Sequence, residues 1–440
     1  MSALPEITPA PPRVSGPLPW LGAGLGLLRG PTEFFAAQRA RLGDSFAVDA
    51  LGYRLFCVFS PRGVAALYAA AEDHASFGLA TFELVFRHKL PLELALGRRN
   101  RPHDLFKNPD VETYLENLER AVALELDALG DGGTFEAFRE AKRLGYRLGL
   151  ASWAGLEAAS PQYLDRLIRN FDRLDAGDSF VKPLSTLWSH VTGKRLEWAA
   201  MRAIEAMLGE ILDARRARGE HPGDFLDRID ASFADVALPE RNVQVARDVM
   251  LIQMGAQSNL PAALAWTLVN LLLHPPVLEA VRAGDDALLE RCAYESIRLA
   301  QRSITLRRVL RPLEVETEAG RYTLAPGVFL ATMLSVTNPT AVPGLDRFDP
   351  AHYSGRRLSD EVAAALPARE LVSTFGHGRH SCPAQRFSIT AIRIAVRALL
   401  ERFELTPQFA SAAPRRRQIG GVARAEAACP VAYRLRSPRP

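Results

Sequence analysis

The sequence predicts a mainly α-helical protein with small β-sheets, an α+β fold. Helical apolar periodicity recurs through most of residues 109–301, whereas stretches rich in strand formers are short and lie mostly outside that region. The chain has 440 residues, of which 48% are hydrophobic, so it can bury a large core. No repeat and no long polar linker divides it. We therefore expect a single domain spanning residues 1–440.

Charge and cysteine content exclude several classes of protein. The 54 basic and 50 acidic residues leave a net charge of +4, and no basic tract is interleaved with aromatic residues, which argues against nucleic-acid binding. The four cysteines, at positions 57, 292, 382 and 429, are too few and too scattered for a disulfide framework or a cysteine-rich zinc site. A reducing cytoplasm suits this composition best. Because we find neither a signal peptide nor a run of ~20 apolar residues, we expect no membrane anchor.

The N-terminal part of the chain combines turn signals, two helices and one hairpin. Residues 1–31 are rich in Pro and Gly and predict an extended lead-in. Helices are predicted at 32–42 and 61–71, and between them a hairpin joins strands 45–50 and 54–59. Residues 72–108 lack periodicity and mix aromatic with basic side chains, which predicts a long functional loop.

The middle of the chain predicts a series of helices that ends in one long apolar helix. The predicted ranges are 109–129, 134–155, 160–175, 194–218, 222–234 and 238–273. The last helix is apolar on nearly all sides and belongs in the interior. A polar break, Gln257-Ser258-Asn259, interrupts it, and Pro261 removes the N–H that would bond the Gln257 carbonyl. We expect this helix to open there toward water or a ligand, with a plain proline kink as the alternative.

The C-terminal part carries a lone cysteine in a glycine-rich loop. A helix at 286–301, short strands between 304 and 332, and an irregular segment at 338–372 precede the loop, Phe375-Gly-His-Gly-Arg-His-Ser-Cys382. Gly376 and Gly378 permit a tight turn, and a helix that starts near Ala384 directs free N–H groups and its positive dipole end at the sulfur. Both effects favour the thiolate, a soft metal ligand. An incidental buried cysteine is the alternative.

These motifs together resemble the cytochrome P450 superfamily of haem-thiolate oxygenases. Phe375-x-x-Gly378-x-x-x-Cys382 resembles its haem-binding signature, and Glu295-x-x-Arg298 resembles its second signature. The long kinked helix upstream and the segment Phe348-Asp-Pro-x-x-Tyr353 follow the same order. The resemblance spans nearly the whole chain. It implies the fold of that family, a triangular prism with a long central helix over the haem.

The resemblance implies a set of cofactor contacts. Cys382 is the expected axial thiolate of a b-type haem, iron protoporphyrin IX, and therefore the metal ligand. Phe375, Gly376 and Gly378 belong to the cofactor-binding loop. His380 and Arg307 stand at positions that in the family pair with haem propionates through charge-assisted bonds.

Other expected contacts are less complete. Glu295 and Arg298 are implied to form a buried structural ion pair, whose third partner is His352 or, as a rival, Arg347. One further propionate contact of the family has no clear counterpart, and Arg98 to Arg101 and His103 are the candidates.

The sequence departs from the family pattern at two places. Ala384 stands where glycine is usual, after Pro383, and neither change removes the ligand. In the central helix the family commonly has an acid followed by threonine, which relays protons to dioxygen; here Ser258-Asn259 occupies that place. Gln257, Ser258 and Asn259 are therefore the predicted catalytic residues. Either Asn259 and ordered water carry the protons, or the reaction does not need the relay.

The residues around these departures look most like one branch of the family. Gln257-x-Asn259 with Pro261 and Trp266, and the run that follows Glu295, resemble the branch that holds sterol and bile-acid hydroxylases, prostacyclin synthase and sterol demethylases. This implies O2- and NAD(P)H-dependent hydroxylation of an apolar lipid-, sterol- or terpenoid-like substrate. A redox-neutral isomerase or dehydratase acting on a peroxide or oxygenated lipid is the alternative, and a non-enzymatic haem binder or gas sensor is a remote one.

Electron donors are the expected partners. The resemblance, without an anchor, implies a soluble bacterial-type monomer that receives electrons from a separate ferredoxin or flavodoxin and its NAD(P)H reductase. Arg386, Arg393 and Arg397 share one helix face and, with Arg379, predict a basic patch for an acidic donor. An ordinary solvated charged face is the alternative.

Overall fold

The predicted α+β class is confirmed. The computed structural model describes residues 4–16, 18, 20–87, 90, 91, 94, 106, 112–175, 187–189 and 191–436. The α-helices are Gly24–Arg29, Pro31–Leu42, Pro61–Ala69, Phe77–Thr81, Glu112–Leu129, Ala137–Trp153, Leu164–Leu174, Arg195–Arg218, Phe225–Ser232, Glu240–Ala256, Asn259–Leu273, Pro275–Arg282, Asp286–Ala300, Leu334–Thr340, Asp360–Ala365 and Gln385–Arg402. A π-helical turn, Phe82–Phe86, and short 3-10 turns complete the helical part.

Four small sheets lie around these helices in the described part of the chain. The largest has six strands in the order Arg13–Val14, Ser45–Ala50, Tyr53–Val58, Phe329–Met333, Ile304–Val309, Ala75–Ser76. The others are Ile7–Thr8 with Gly320–Leu324 and Leu313–Thr317; Phe403–Pro407 with Pro430–Leu435 and Gly132–Glu136; and the pair Tyr353–Ser354 and Arg357–Leu358. In the largest sheet, Leu55 pairs with Phe329 in a parallel ladder. The predicted N-terminal hairpin is thereby joined to strands from the last third of the chain.

The long apolar helix is broken where the sequence predicts. Its two parts, Glu240–Ala256 and Asn259–Leu273, are called here the broken central helix, and Gln257 and Ser258 stand between them. The second part is buried along nearly its whole length. Pro261 packs against Gly145, where an added Cβ would lie 2.7 Å from the proline Cγ. Because no larger side chain fits at Gly145, the break is held close to the helix Ala137–Trp153.

The prediction of a long loop at 72–108 is wrong for the first part of that segment. Residues 75–86 form a short strand, a helix and a π-helical turn. Glu72 explains the difference, since its carboxylate accepts hydrogen bonds from the Ser76 hydroxyl at 2.6 Å and from the backbone N–H groups of Phe77 and Gly78 at 3.2 Å each. The carboxylate thus satisfies the free donors of a helix start that has no periodic signal. Most of the remainder of 72–108 lies outside the described residues.

A buried charge cluster forms around Glu295. Arg298 donates two hydrogen bonds to the Glu295 carboxylate, each at 2.7 Å, and both side chains are 0% exposed. His352 Nδ1 lies 2.8 Å from Glu295 Oε1, and the Asp349 N–H donates to the same oxygen at 3.2 Å. His352 therefore takes the place of the third partner, and no such contact links Arg347 to Glu295 in the described part of the chain.

Hydrogen bonds connect this cluster to the glycine-rich loop. Arg298 Nη1 donates to the Asn338 carbonyl at 3.1 Å, and the Asn338 side chain donates to the Arg298 and Ser373 carbonyls at 3.0 Å each. The Ser373 N–H returns a bond of 2.8 Å to Asn338 Oδ1, and the Ser373 hydroxyl accepts from the Gly376 N–H at 3.0 Å. A continuous chain of bonds thus runs from the ion pair to the loop before Cys382.

Among the described residues, no single helix is both long enough and apolar enough to span a membrane. The broken central helix and Pro275–Arg282 reach this length and apolar character only as a pair bent by 108°.

Removing one partner of the buried cluster should be far more damaging than removing an exposed one. We expect Glu295→Ala to lower the free energy of unfolding by about 3–5 kcal/mol, because Arg298 would keep a buried charge without a counter-ion. The matched control is Glu314→Ala, whose carboxylate lies 3.9 Å from Arg321 with both side chains more than 60% exposed, and little change is expected there. Denaturant unfolding followed by tryptophan fluorescence measures both, and coinciding curves would contradict the prediction.

Candidate active site

One large cavity connects the glycine-rich loop with the broken central helix. Its volume is about 930 Å³, within the upper range of ligand-binding sites. Cys382 and the preceding loop line it, as do Gly255 and the polar residues that follow Gly255 in the central helix. The structure therefore brings the predicted ligand and the predicted catalytic residues to the same cavity.

The loop around Cys382 depends on its first glycine. Gly376 has φ +80°, and an added Cβ there would lie 2.5 Å from the His380 carbonyl oxygen. Gly378 also has a positive φ, +59°, but an added Cβ would meet no atom within 4 Å. The Cys382 N–H donates to the Phe375 carbonyl at 2.7 Å and closes the turn. The predicted tight turn is confirmed, and the sulfur is held on a fixed backbone.

The surroundings of the sulfur do not by themselves favour a thiolate. Burial raises the pKa of the Cys382 thiol above its ordinary value, and a hydrogen bond from the Ala384 backbone offsets this only in part. The helix start thus lowers the pKa of the thiol, as predicted, but burial has the larger effect in the isolated protein. A coordinated metal cation would shift the equilibrium to the thiolate, as it does for coordinating thiols in general.

The central-helix side of the cavity leaves space for a ligand. Gly255 is exposed to the cavity, and an added Cβ would have no atom within 4 Å. Its neighbours Leu251, Ile252 and Ala256 are apolar and line the same space. A flat apolar group can therefore approach the helix backbone here, which fits the haem that the resemblance implies.

Gln257 is connected to the protein surface through a buried tyrosine. Gln257 Oε1 lies 3.1 Å from the Tyr146 hydroxyl, which also lies 3.2 Å from Asp172 Oδ1. Tyr146 is 1% exposed, whereas the Asp172 side chain is 41% exposed and lies 2.7 Å from Lys142 Nζ. The tyrosine pKa is raised well above its ordinary value by burial and by the nearby carboxylates Asp172 and Asp175. Tyr146 thus stays a neutral hydroxyl between the cavity wall and solvent.

Asn259 and Ser258 have different surroundings from Gln257. The Asn259 amide nitrogen donates to the Gly255 carbonyl at 3.2 Å, and its oxygen accepts from the Val422 N–H at 2.9 Å. Asn259 therefore ties the break in the helix to the C-terminal part of the chain. The Ser258 hydroxyl lines the cavity and has no hydrogen-bond partner within the described ranges.

The two predicted propionate contacts meet at a carboxylate of the protein itself. His380 lines the cavity, and its Nε2 lies 3.5 Å from Glu72 Oε2. Arg307 is 1% exposed, donates to the Ala75 and Tyr68 carbonyls at 3.0 and 3.2 Å, and lies 3.5 Å from the same Glu72 oxygen. Burial raises the Glu72 pKa, but the hydrogen bonds from Ser76 and the backbone outweigh it and leave the pKa lowered. The cationic side chains of His380 and Arg307 suit a propionate, whereas the Glu72 carboxylate already paired with them would compete with it.

The remaining predicted contacts, with a propionate and with an electron donor, are only partly found in the structure. Arg98 to Arg101 and His103 lie outside the described residues. The predicted basic patch is partly wrong, because Arg393 and Arg397 form ion pairs with acidic side chains of the helix Asp286–Ala300. The exposed arginines that remain beside the cysteine loop are Arg379 and Arg386.

Three residues of the site, Tyr146, Asp172 and Glu72, are not indicated by any sequence motif. Tyr146 lies in an amphipathic helix, where a phenol on the buried side signals a polar partner. That partner is 111 residues away in the sequence, so periodicity cannot identify it. Glu72 lies in a segment without periodicity. Its role becomes visible only in the structure, where its carboxylate caps the helix that begins at Phe77.

Two glycine substitutions test the packing of the cysteine loop. Gly376→Ala and Gly378→Ala both place a side chain at positive φ, but only Gly376→Ala also meets the His380 carbonyl. We expect Gly376→Ala to destabilise the protein by about 1–3 kcal/mol more than Gly378→Ala, the usual cost of overpacking. Parallel thermal or denaturant unfolding of the two variants measures the difference, and equal losses would show that the close contact is not limiting.

Comparison with known proteins identifies the family. Residues 162–426, more than half of the chain, match the family model for cytochrome P450. Similar proteins include the 24-hydroxycholesterol 7-alpha-hydroxylase of Mus musculus, 23% identical over 97% of this chain and 93% of that protein. The obtusifoliol 14-alpha demethylase of Triticum aestivum is 24% identical over 90% of this chain and 92% of its own length. The predicted likeness to a branch with sterol hydroxylases and demethylases is confirmed. The chain belongs to the cytochrome P450 family and is an oxidoreductase of the monooxygenase type.

Proposed function

We propose that the protein is a haem-thiolate monooxygenase that hydroxylates an apolar lipid-, sterol- or terpenoid-like substrate. The observation that carries this proposal is Cys382, held on a closed turn and facing a cavity of about 930 Å³. Haem b ligated by a thiolate supplies the activation of dioxygen for this reaction. The relatives named above, which are hydroxylases and demethylases, support the same reaction class.

The residues on the cysteine side would bind and orient the cofactor. Cys382 would be the axial ligand, and the turn through Gly376 and Gly378 brings backbone close to it without side chains in the way. His380 would meet a propionate directly. Arg307 is not among the described residues that line the cavity. Its positive charge would therefore attract a propionate from a distance, without a direct hydrogen bond.

The other lining residues would bind the substrate and exclude water. They are largely aliphatic or aromatic and come from several elements of the chain. They include Leu84, Val85, Phe86, Leu251, Ile252, Ile304, Leu306 and Leu334. Apolar surface of this kind gains roughly 25 cal/mol per Å² removed from water, so it favours a bulky apolar substrate.

We further propose that Gln257, positioned by Tyr146 and Asp172, orients the water that delivers protons to the cavity. A tyrosine hydroxyl has one hydrogen, and the Asp172 carboxylate is the stronger acceptor for it. Rotation of the Gln257 amide lets its N–H group donate to the tyrosine oxygen, so that both contacts are satisfied. Because a carboxamide neither takes up nor releases a proton, water beside Gln257 and Ser258 would carry the protons. This arrangement would take the role that an acid and a threonine have in the family.

Electron supply would come from a separate protein. We propose a ferredoxin or flavodoxin with an NAD(P)H reductase, because Arg379 and Arg386 remain exposed next to the cysteine loop and suit an acidic donor. A redox-neutral rearrangement of a peroxide or oxygenated lipid is the second candidate function. The commitment of the Asn259 amide to backbone partners favours it, since this side chain is then poorly placed to carry protons.

The cysteine assignment is tested by the absorption spectrum of the reduced, carbon-monoxide-bound protein. We expect a thiolate-type band that Cys382→Ala abolishes. Cys429→Ala is the matched control, because Cys429 is buried and outside the cavity lining, and should leave the band unchanged. Product formation should require reductase and NAD(P)H; product from a hydroperoxide without an electron donor would favour the second candidate.

The proposed proton route is tested by removing one hydroxyl. Tyr146→Phe should lower the rate of product formation at saturating substrate by about tenfold or more and change its solvent isotope effect, because the link between Asp172 and Gln257 is cut. Tyr163→Phe is the control, since that hydroxyl contacts Glu210 at 3.3 Å in an exposed setting. Unchanged turnover and isotope effect in Tyr146→Phe would rule out this route.

A further inference from the structure

Four arginines surround a depression on the protein surface. Arg29, Arg415, Arg416 and Arg417 line it together with Glu426, and its volume is about 540 Å³. We call it the arginine groove. Arg29 ends the helix Gly24–Arg29, whereas the other three belong to residues 414–425, called here the tail loop. Two segments from opposite ends of the sequence thus bring their positive charges together.

The groove has more positive charge than its acidic neighbours neutralise. Arg416 pairs with Glu33 at 3.1 Å, and the Glu426 carboxylate accepts the Arg416 backbone N–H at 2.7 Å. The side chains of Arg29, Arg415 and Arg417 are exposed and form no ion pair within the described ranges. Arginine binds carboxylates in a bidentate geometry. Three such donors are therefore available to an anionic group.

The groove lies beside the active-site cavity. Arg417 lines both spaces, and the residues next to the groove arginines, Leu27, Leu28 and Gln418, line the cavity. A molecule that contacts Arg417 with one end would therefore have the cavity that contains Cys382 within reach of its other end. The charged groove and the apolar cavity adjoin at Arg417.

The tail loop holds its arginines on a defined backbone. The Arg415 N–H donates to the Arg424 carbonyl at 2.7 Å, and Pro414 pairs with Ala425 in an antiparallel bridge. The loop is also bound to the central helix, because the Val422 N–H donates to Asn259 Oδ1 at 2.9 Å. Donors on a pre-organised element lose less freedom when a ligand binds.

We propose that the arginine groove binds the anionic head of the substrate, and that the substrate is an amphipathic carboxylic acid whose apolar body fills the cavity. This inference rests on the proposed function and narrows it to acidic lipids. The apolar lining would supply most of the binding free energy, and the carboxylate at Arg417 would set which carbon lies near the reaction centre.

The experiment compares acids with their own methyl esters on the haem-loaded protein. Palmitic acid and methyl palmitate, and cholanic acid and methyl cholanate, share the same apolar body and differ only at the head, in charge and by one methyl group. Calorimetry and the ligand-induced absorption change measure the dissociation constants. We expect the acids to bind at least about tenfold more tightly than the esters.

Variants then locate the charge effect. Arg417→Gln should weaken binding of the acids by about ten- to a hundredfold and leave the esters unchanged. Arg29→Gln should act in the same direction. The control is Arg321→Gln, an exposed arginine on the strand Gly320–Leu324 outside both linings, which should change nothing.

Each other outcome has a definite meaning. If acids and esters bind alike and Arg417→Gln affects neither, the acidic-substrate proposal fails, while an intact thiolate-type band leaves the proposed function standing. If that band is missing, the proposed function fails, and calorimetry of the same ligands still reports on the groove. If Arg417→Gln abolishes binding to phosphatidylserine vesicles but not to the acids, the groove recognises lipid headgroups and the proposal is overturned.

Discussion

The geometry of the cavity depends on the buried ion pair between Glu295 and Arg298. Both side chains are 0% exposed, so neither charge tolerates the loss of the other. Their bonds position Asn338, which positions Ser373, which in turn binds the Gly376 N–H. The turn before Cys382 is therefore set by an interaction far from the sulfur. This explains how a loop with two positive-φ glycines can hold a ligand in one place.

The break in the central helix divides three polar residues between different tasks. Gln257 contacts a buried tyrosine, Ser258 is open to the cavity, and Asn259 binds the tail loop. One helix break thus borders the proposed reaction centre and anchors the loop that holds the arginine groove. Beside this break, Tyr146 links Gln257 to the exposed Asp172 carboxylate. The proposed route for protons rests on this contact.

Charged side chains lie at two borders of the cavity, and this arrangement favours one orientation of a bound amphipathic molecule. The corner with His380 and Arg307 holds the Glu72 carboxylate, and three arginines of the groove form no ion pair with the described part of the chain. Between them the lining is mainly apolar. A site with charge at its borders and apolar surface inside orients an elongated amphipathic molecule, because each end has only one favourable environment.

The sequence by itself determined three features, because each depends on local residues. Short motifs indicate the family, the N–H that Pro261 lacks predicts the helix break at Gln257, and glycine at position 376 permits the positive φ of the turn. It also indicated Cys382 and the helix start that lowers its thiol pKa, but not the burial that outweighs this effect, since burial is a property of the packed protein. Only the tertiary structure decided that His352 completes the ion cluster, that Tyr146 meets Gln257 from 111 residues away, and that acidic neighbours neutralise Arg393. These outcomes depend on which distant side chains share a small volume, and no periodicity or propensity along the chain encodes that choice.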